Sequence, residues 1–345
     1  MKQAELVSPK TIEIKEVPKP IPNENQVLLK IHAVGICGSD IHAWHGKHPF
    51  ISCPIVTGHE ATGEVVELGA NVTNVKLGDR VVIRPQSIDG TCTLCKEDRY
   101  NICNSLQVLG CQITGASSDY YAVNADLLYV FPDNIGYGEG TVIEPLAVGV
   151  HAARRGIPDG NFAGKKALVI GAGTIGNMVA QALLGLGAAD VIITDISDEK
   201  LKIAQSCGIK HTVNSKQTDL DAAVKALFGP DGADVSYECT ASAAGLNQLL
   251  DISRKGTRIV IVGVYGDRVN VNMANVQDRE YELIGTLMYK DADYQESIKL
   301  VSESKVNLKG VITHEFPLEK TAEAYQFIDA NRDAVQKVII IVNQL

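Results

Sequence analysis

Gly171-Ala172-Gly173-Thr174-Ile175-Gly176 is the stretch that decides the fold of this 345-residue chain. An apolar run at 167–170 precedes it, and an apolar segment punctuated by glycines follows it as far as Gly187. This order predicts a strand, a tight glycine turn and a helix. The first glycine permits the turn, the second lets the backbone approach a pyrophosphate, and the third lets helix and strand pack closely. Because a helix N-terminus also offers free N–H groups and a partial positive charge, the stretch is typical of a dinucleotide-binding turn.

An acidic residue further along the chain supports this interpretation. A second β-like run, 191–194, ends in Asp195, 24 positions after Gly171. An acid near this offset binds the adenosine ribose hydroxyls of a dinucleotide. A carboxylate there also repels a 2′-phosphate, so the sequence favours NAD over NADP. A glycine turn in an α/β fold that binds no nucleotide is the alternative.

Strand-like and helical patterns alternate from 165 to 286. The predicted strands are 167–170, 191–194, 211–213, 233–238, 258–262 and 281–285, and the predicted helices are the segment after 173, 198–207, 220–228 and 244–253. Alternation of this kind predicts an α/β fold with a doubly wound parallel sheet.

The remainder of the chain predicts a second, β-rich domain. Short β-like runs separated by proline and glycine fill the first 150 residues. The tail after 293 includes the strongly β-like run 337–342 but has no sheet of its own to complete, so we expect it to return to the first domain. The predicted division is 1–150 with 287–345, and 151–286.

Composition and charge exclude several classes of partner. With 45% hydrophobic residues and a net charge of -9, the chain has a large core and no general attraction to nucleic acid or to an anionic membrane. No apolar run reaches about 18 residues, and the first residues lack the apolar region of a signal peptide, so we expect a cytoplasmic protein. Eight cysteines in such a chain indicate metal ligands and buried thiols rather than disulfides. Those without partner spacing, interpreted as buried thiols, are Cys53, Cys111, Cys207 and Cys239.

Two motifs in the β-rich part contain residue types that bind zinc. Cys37 and His59 are 22 positions apart, and Glu60 follows His59 directly. Thiolate and imidazole are preferred zinc ligands, and a catalytic zinc keeps one position open for water or substrate. Another carboxylate, Glu144, stands before Pro145. This set of residues favours a metal site over isolated structural side chains.

The sequence resembles the zinc-dependent medium-chain dehydrogenase/reductases, on the polyol side of that family. The stretches that carry the resemblance are GICGSDIH at 35–42, GHEATG at 58–63, EPLAVGVHAARR at 144–155, and 171–176. They occur in family order and span both predicted domains. The resemblance implies a GroES-like β-rich catalytic domain, built from the N- and C-terminal segments, with a Rossmann domain inserted between them.

The resemblance also implies a catalytic zinc and an activity. The zinc is held by Cys37, His59 and a carboxylate, either Glu60 or Glu144, directly or through water, and the sequence does not separate the two. Ser39 and His42 match the family's proton-relay positions. The implied reaction is hydride transfer between NAD and a secondary hydroxyl of a small polyhydroxylated substrate: a polyol, a polyol phosphate or a sugar acid. An L-threonine-type 3-dehydrogenase is the alternative.

A second metal site is indicated by a cysteine-rich segment. Family members with a structural zinc space four cysteines in a pattern that Cys92, Cys95 and Cys103 match, but Asp89 stands where the first cysteine belongs. Because a carboxylate oxygen can also bind zinc, a site of three cysteines and one aspartate is chemically reasonable. A lobe that has lost its metal and kept its thiols is the alternative.

The dinucleotide site and the assembly complete the predictions. The residues expected to bind NAD are Gly171, Gly173, Thr174, Ile175, Gly176, Asp195, Lys200 and Val262.

By resemblance the protein is a homo-oligomer, a dimer or a homotetramer, with the last Rossmann strands as contact edges. A non-catalytic NAD-binding sensor is the alternative from another class, and loss of a catalytic ligand would favour it, but Cys37, His59, Glu60 and Glu144 are all present.

Overall fold

The computed structural model describes residues 1–343, which divide into two compact units. Residues 1–144 and 312–343 form the first unit, and residues 145–311 form the second. Among the described residues, none of the helices combines the length and the apolar character needed to span a bilayer.

The strands and helices are numbered in chain order. The strands are β1 (Lys2–Ser8), β2 (Thr11–Glu16), β3 (Gln26–Ile36), β4 (Glu60–Leu68), β5 (Arg80–Ile83), β6 (Gln86–Ser87), β7 (Gln107–Val108), β8 (Tyr120–Asn124), β9 (Leu128–Val130), β10 (Lys166–Ile170), β11 (Asp190–Asp195), β12 (His211–Asn214), β13 (Val235–Glu238), β14 (Arg258–Ile261), β15 (Glu282–Gly285), β16 (Ile312–Pro317) and β17 (Lys337–Ile341). The helices are α1 (Gly38–Trp44), α2 (Thr93–Lys96), α3 (Tyr137–Gly140), α4 (Ile143–Gly156), α5 (Thr174–Gly185), α6 (Asp198–Ser206), α7 (Leu220–Phe228), α8 (Ala243–Ile252), α9 (Met273–Asp278), α10 (Asp291–Ser302) and α11 (Thr321–Ala330). Short 3₁₀ helices cover Tyr100–Ile102, Ala125–Leu127, Lys309–Val311 and Leu318–Lys320.

The first unit is organised around β3. This long strand pairs antiparallel with β4, β8 and β17, and it is buried along most of its length. The main sheet runs β16-β17-β3-β4-β5-β9. Because β17 pairs with β3, from Val338 opposite Ile36 to Ile341 opposite Ala33, the C-terminal segment does return to the first unit as expected.

The second unit contains a six-stranded parallel sheet in the order β12-β11-β10-β13-β14-β15. The chain builds outward from β10 in one direction and then returns to build outward from β13, so the direction reverses between these two central strands. This is the doubly wound α/β arrangement predicted from the alternating pattern. The central position of β10 explains its apolar run, since Ala167, Leu168, Val169 and Ile170 are all buried.

The boundaries of the compact units differ from the predicted ones. The first lies at 144/145 instead of 150/151, and the second lies at 311/312 instead of 286/287. The second difference arises because α10 belongs to the parallel-sheet unit. Leu300 of α10 packs on α5 so closely that a Cβ at Gly185 would lie 3.2 Å from its Cδ2. The predicted boundary follows the last predicted strand and therefore leaves this additional helix out of the unit.

A buried charged network, the Asp293 network, joins α4 to α10. Asp293 is 3% exposed, and its two oxygens accept hydrogen bonds from His151 Nδ1 (2.7 Å), the Lys290 N–H (2.9 Å) and Arg154 (2.7 Å). Burial raises the pKa of Asp293, but the bonds from His151, Lys290 and Arg154 outweigh it and lower the pKa below its usual value. Each carboxylate oxygen therefore has a partner, and the network fixes α10 on the unit.

Candidate metal centres and dinucleotide loop

Three potential metal ligands meet where β3 and β4 lie side by side. Cys37 follows β3 as the N-cap of α1, while His59 precedes β4 and Glu60 opens it. Antiparallel pairing sets Gly35 opposite Glu60, and a Cβ at Gly35 would collide with Glu60 Oε2. The ligand atoms of Cys37, His59 and Glu60 lie within 4.8 Å of one another. A tetrahedral zinc separates its ligand atoms by about 3.3–3.8 Å, so three ligand atoms this close together can share one zinc ion after small side-chain movements.

The buried carboxylate of Asp40 lies beside the His59 ring. It is 1% exposed, its Oδ2 accepts the Cys37 N–H at 2.8 Å, and its Oδ1 lies 3.8 Å from His59 Nδ1. Burial lowers the pKa of His59, but the negative groups of Asp40 and Cys37 outweigh it and raise that pKa well above its usual value. A carboxylate beside one ring nitrogen is the usual outer-shell arrangement of a zinc-binding histidine, because it orients the ring and makes the ligand more basic.

Several polar atoms at this centre lack protein partners. Within the described residues, Ser39 Oγ, Asp40 Oδ1 and His59 Nδ1 are buried without a hydrogen bond. Asp40 Oδ1 and His59 Nδ1 face each other, so the Ser39 hydroxyl is the buried atom of this group that a bound ligand would pair. The Ser39 hydroxyl is therefore buried and available to a bound ligand, whereas His42, on the same short helix, is exposed to solvent.

Lys337 is a further member of the centre, and no motif in the sequence indicates it. It is 2% exposed, and its Nζ lies 2.7 and 2.6 Å from the two oxygens of Glu60 and 3.2 Å from the Ile36 carbonyl oxygen. Burial lowers the pKa of Lys337, but the carboxylate of Glu60 and the thiolate of Cys37 outweigh it and raise that pKa. Lys337 lies 277 positions from Glu60 in the sequence, so no local pattern links the two residues. The one indication of its role is that a lysine is the first residue of an otherwise apolar, buried strand.

Glu144, unlike Glu60, does not lie with the other candidate zinc ligands. It is 4% exposed in the first turn of α4, but it is not among the mutually close ligand atoms of Cys37, His59 and Glu60. Its charge contributes to the raised pKa of Lys337, so it lies near the same positive group. The geometry therefore separates the two carboxylates that the sequence left equivalent.

Cys111 also contacts the centre, although the sequence analysis interpreted it only as a buried thiol. It is 8% exposed, and its hydrogen bond with His59 helps to raise the pKa of that histidine. The backbone brings it there, because Gly110 approaches Gly58 so closely that a Cβ at Gly110 would lie 2.8 Å from the Gly58 nitrogen. No spacing in the sequence could have indicated this contact.

The second group, the cysteine lobe, consists of Asp89, Cys92, Cys95 and Cys103, whose ligand atoms also lie within 4.8 Å of one another. The Cys92 sulfur lies 3.6 Å from that of Cys95 and 3.9 Å from that of Cys103. Zinc–sulfur bonds of about 2.3 Å in a tetrahedron place two sulfurs about 3.8 Å apart, so the thiols already have the spacing of a zinc site.

The backbone of the cysteine lobe adjusts the charge of its ligands. Asp89 Oδ1 accepts the N–H groups of Cys92 (2.9 Å) and Thr91 (2.7 Å), and these bonds lower the pKa of Asp89. Backbone hydrogen bonds also lower the pKa of Cys92, while burial and the neighbouring thiols raise the pKa of Cys95 to about 12. Asp89 is therefore held in the ionised form that a metal ligand requires.

The glycine turn has the predicted geometry. Gly171 has φ of +98°, and a Cβ at Gly176 would collide with the Gly171 carbonyl oxygen, so both positions require glycine. Gly173 is the N-cap of α5, and Thr174 and Ile175 open that helix. Asp195 ends β11 beside the turn, where it accepts the Ala172 N–H at 2.8 Å. Of the remaining predicted contacts, Lys200 is half-buried on α6 and Val262 is buried directly after β14.

Comparison with known proteins matches both units. Residues 23–133 match the family model described as alcohol dehydrogenase GroES-like domain, and residues 174–303 match the one described as zinc-binding dehydrogenase. Sorbitol dehydrogenase 1 of Saccharomyces cerevisiae is 38% identical, covering 95% of this chain and 94% of that protein. Two Escherichia coli structures superpose with TM-scores of 0.90 at 26% identity. They are galactitol-1-phosphate dehydrogenase (99% of this chain, 100% of that chain) and L-idonate 5-dehydrogenase (99% and 97%).

Proposed function

This chain belongs to the zinc-dependent medium-chain dehydrogenase/reductase family, in its sorbitol-dehydrogenase-like branch, and we propose that it oxidises a secondary hydroxyl of a polyol, polyol phosphate or sugar acid. The printed activities of its relatives support this substrate range, since they include a sorbitol, a galactitol-1-phosphate and an L-idonate dehydrogenase. The observation that carries the proposal is the Cys37–His59–Glu60 centre, together with the buried and unpaired Ser39 hydroxyl on the helix that Cys37 caps.

The geometry supports a metal-binding role for three side chains. Cys37, His59 and Glu60 would hold the catalytic zinc, and Asp40 would orient His59 through the neighbouring ring nitrogen. Bound zinc supplies a Lewis acid for the substrate oxygen, and bound NAD accepts the hydride. Glu144, being outside the mutually close set, would act through water.

Lys337 adjusts the charge of this centre. Its ammonium contacts both oxygens of Glu60 within an enclosed site, so it neutralises much of the charge that Glu60 directs toward a metal. A ligand set with less net negative charge leaves the metal a stronger Lewis acid. Lys337 would thus act on the substrate through Glu60 and the metal rather than by contact.

A proton route can be built from α1. The buried Ser39 hydroxyl has no protein partner among the described residues, and it can accept the proton of a substrate hydroxyl while it releases its own proton toward His42. The exposed His42, one turn further along the helix, can pass a proton to solvent. The two would form the proton relay.

The second unit would bind NAD through the glycine turn and Asp195. The N-terminus of α5 presents N–H groups to the pyrophosphate, and Asp195 accepts the ribose hydroxyls. The Asp195 carboxylate beside the turn supports NAD over NADP because it repels a 2′-phosphate. Lys200 and Val262 would contribute further contacts.

Three further assignments belong to the proposal. The cysteine lobe would hold a structural zinc through three thiolates and Asp89, as its sulfur–sulfur distances support.

The protein would be a homo-oligomer that associates through β15, the last strand of the parallel sheet in the described residues. Leu283 in this strand and Leu287 just after it are exposed. We also infer that it acts in the cytoplasm, where reducing conditions keep cysteines as thiols or as metal ligands.

The test is initial-rate NAD reduction on polyols, polyol phosphates, sugar acids and L-threonine, with native, chelator-treated and zinc-restored protein. We expect turnover of one polyhydroxylated class, loss with chelator and recovery with zinc. Preference for threonine would replace the substrate proposal by its alternative. Turnover that survives complete removal of zinc would contradict the proposed centre.

A further inference from the structure

The carboxylate of Glu238 is fully buried at the last residue of β13 and is surrounded by donors. One oxygen accepts the N–H of Thr240 (2.8 Å) and its hydroxyl. The other accepts the N–H of Ala241 (3.1 Å) and the hydroxyl of Tyr265 (3.0 Å). The carboxylate thus connects two loops: the β13 loop (239–242) and the β14 loop (262–265).

These bonds hold the β13 loop in an uncommon shape. Ala241 has φ of +55°, a left-handed conformation that residues other than glycine rarely adopt. The β14 loop packs against it at Gly263, where a Cβ would lie 2.8 Å from the Ala241 Cα and 2.9 Å from Glu238 Oε2. Backbone strain of this kind persists only where the surroundings over-determine it, and it concentrates at functional sites.

The β13 loop lies against the dinucleotide turn. Strands β10 and β13 are neighbours at the point where the sheet reverses direction, and ligands of such sheets bind outside the carboxyl ends of the strands at that point. The glycine turn follows β10 and the β13 loop follows β13. They touch, because a Cβ at Gly171 would lie 2.8 Å from Thr240 Cγ2 and 3.1 Å from the Cys239 carbonyl carbon.

We propose that Glu238 is a positioning residue for NAD, which holds the β13 and β14 loops as the wall of the crevice beside the glycine turn. It acts through the backbone of Thr240 and Ala241 and through Tyr265. This inference rests on the proposed function, since it supposes that the crevice binds NAD. Burial raises the pKa of Tyr265, which keeps its hydroxyl a donor to Glu238 at neutral pH.

Only a group with two acceptor oxygens satisfies this site. Two of the four donors are backbone N–H groups, one on each oxygen. In Glu238→Gln, one oxygen becomes an NH₂ group, so either orientation of the amide leaves a backbone N–H facing a donor. The β13 loop then loses part of its support while side-chain volume is unchanged.

The experiment compares wild type with Glu238→Gln, Tyr265→Phe and the exposed control Glu303→Gln, using NADH fluorescence for Kd, steady-state kinetics, zinc content and thermal melting. We expect the Kd for NADH and the KM for NAD to rise about 5- to 100-fold in Glu238→Gln, because binding must restore a loop that is no longer held. Tyr265→Phe, which keeps the backbone bonds, should show a smaller rise in the same direction. Zinc content and the KM for the polyol should stay as in wild type and in Glu303→Gln.

Other outcomes contradict the inference. If Glu238→Gln melts at a lower temperature but binds NADH within twofold of wild type, Glu238 is only structural. If Glu238→Gln does not fold, Tyr265→Phe decides, and unchanged NADH binding in that variant overturns the positioning role. If wild type binds NADH but turns over no member of the substrate panel, the proposed substrate class fails while the comparison of NADH affinities still stands.

Discussion

Two buried charged networks, one in each unit, differ in how completely they are bonded. The Asp293 network in the second unit pairs both carboxylate oxygens with His151, Arg154 and a backbone N–H. The zinc centre in the first unit leaves buried atoms of Ser39 and His59, and one oxygen of Asp40, without hydrogen bonds. A fully bonded network stabilises the fold, whereas a buried atom without a partner, such as the Ser39 hydroxyl, is available to a bound ligand. The following predictions test this difference, from the largest expected effect to the smallest.

Replacement of a ligand should have the largest effect on activity. We expect His59→Ala to reduce kcat/KM by at least about 10³-fold, because loss of an outer-shell partner alone costs about 10- to 100-fold and this change removes a ligand itself. Metal analysis should show one zinc fewer per chain. His211→Ala, at a histidine of the second unit that pairs with Asp190, is the control, and equal losses of activity in the two variants would contradict the assignment.

Removal of Lys337 should affect stability according to whether zinc is bound. Lys337→Met leaves the buried Glu60 carboxylate without its ammonium, and breaking a buried ion pair costs about 3–5 kcal/mol. In zinc-loaded protein the metal remains as a counter-charge, so the loss should be much smaller. Urea unfolding with and without chelator measures both values. Lys320→Met, at an exposed lysine, is the control, and a loss that does not depend on zinc would separate Lys337 from the centre.

Asp293→Asn should reduce stability without reducing the activity of folded protein. We expect a loss of about 2–3 kcal/mol at pH 7, because the variant removes a buried acceptor of charged donors. The folded-state pKa of Asp293 is depressed, so its stabilisation is complete above the unfolded-state value near 4 and is lost as the pH falls through the lower folded value.

Unfolding measured between pH 7 and pH 3 tests the Asp293 prediction. The difference between wild type and Asp293→Asn should therefore shrink below about pH 4. A constant difference across this range would show that packing rather than charge explains the loss. A fall in kcat per folded molecule would contradict the contrast between the two networks.

Asp40→Asn should weaken the zinc centre moderately. The change keeps the shape but removes the charge that faces His59 Nδ1 at 3.8 Å. We expect zinc affinity or kcat/KM to fall by about 10- to 100-fold, the usual effect of an outer-shell carboxylate. Competition with a chelating dye gives the affinity directly. Unchanged affinity would indicate that Asp40 only caps α1 through the Cys37 N–H.

Asp89→Ala should have the smallest effect on catalysis. If Asp89 completes the cysteine lobe, its loss should weaken the second zinc while the catalytic zinc and kcat stay near wild type. Asp89→Cys should restore or strengthen that zinc, because the four ligands would then all be thiolates. Zinc titration of the variants separates these outcomes. Retention of the second zinc by Asp89→Ala would show that three thiols suffice.

The sequence predicted most of the fold and the types of ligand because these depend on short-range patterns. The glycine turn, the alternation of strands and helices, and the spacing of Cys92, Cys95 and Cys103 each lie within a few dozen residues. The second boundary lies at 311 in the structure but at 286 in the prediction, because α10 packs on the second unit through Leu300 and Asp293. The residues that these two contact there lie over 100 positions away in the sequence, so no local pattern shows the contacts.

The sequence by itself determined the fold class and the family, and it predicted which side chains bind zinc and NAD, whereas only the tertiary structure decided which of these side chains meet and which charges surround them. Glu60 was distinguished from Glu144 by the pairing of β3 with β4, which places Glu60 beside Cys37. Lys337 reached Glu60 because β17 pairs with the other edge of β3, and Cys111 reached His59 because Gly110 packs on Gly58. The physical reason is that hydrogen bonds between strands bring distant residues together, and the pattern of one segment contains no information about the segment that pairs with it.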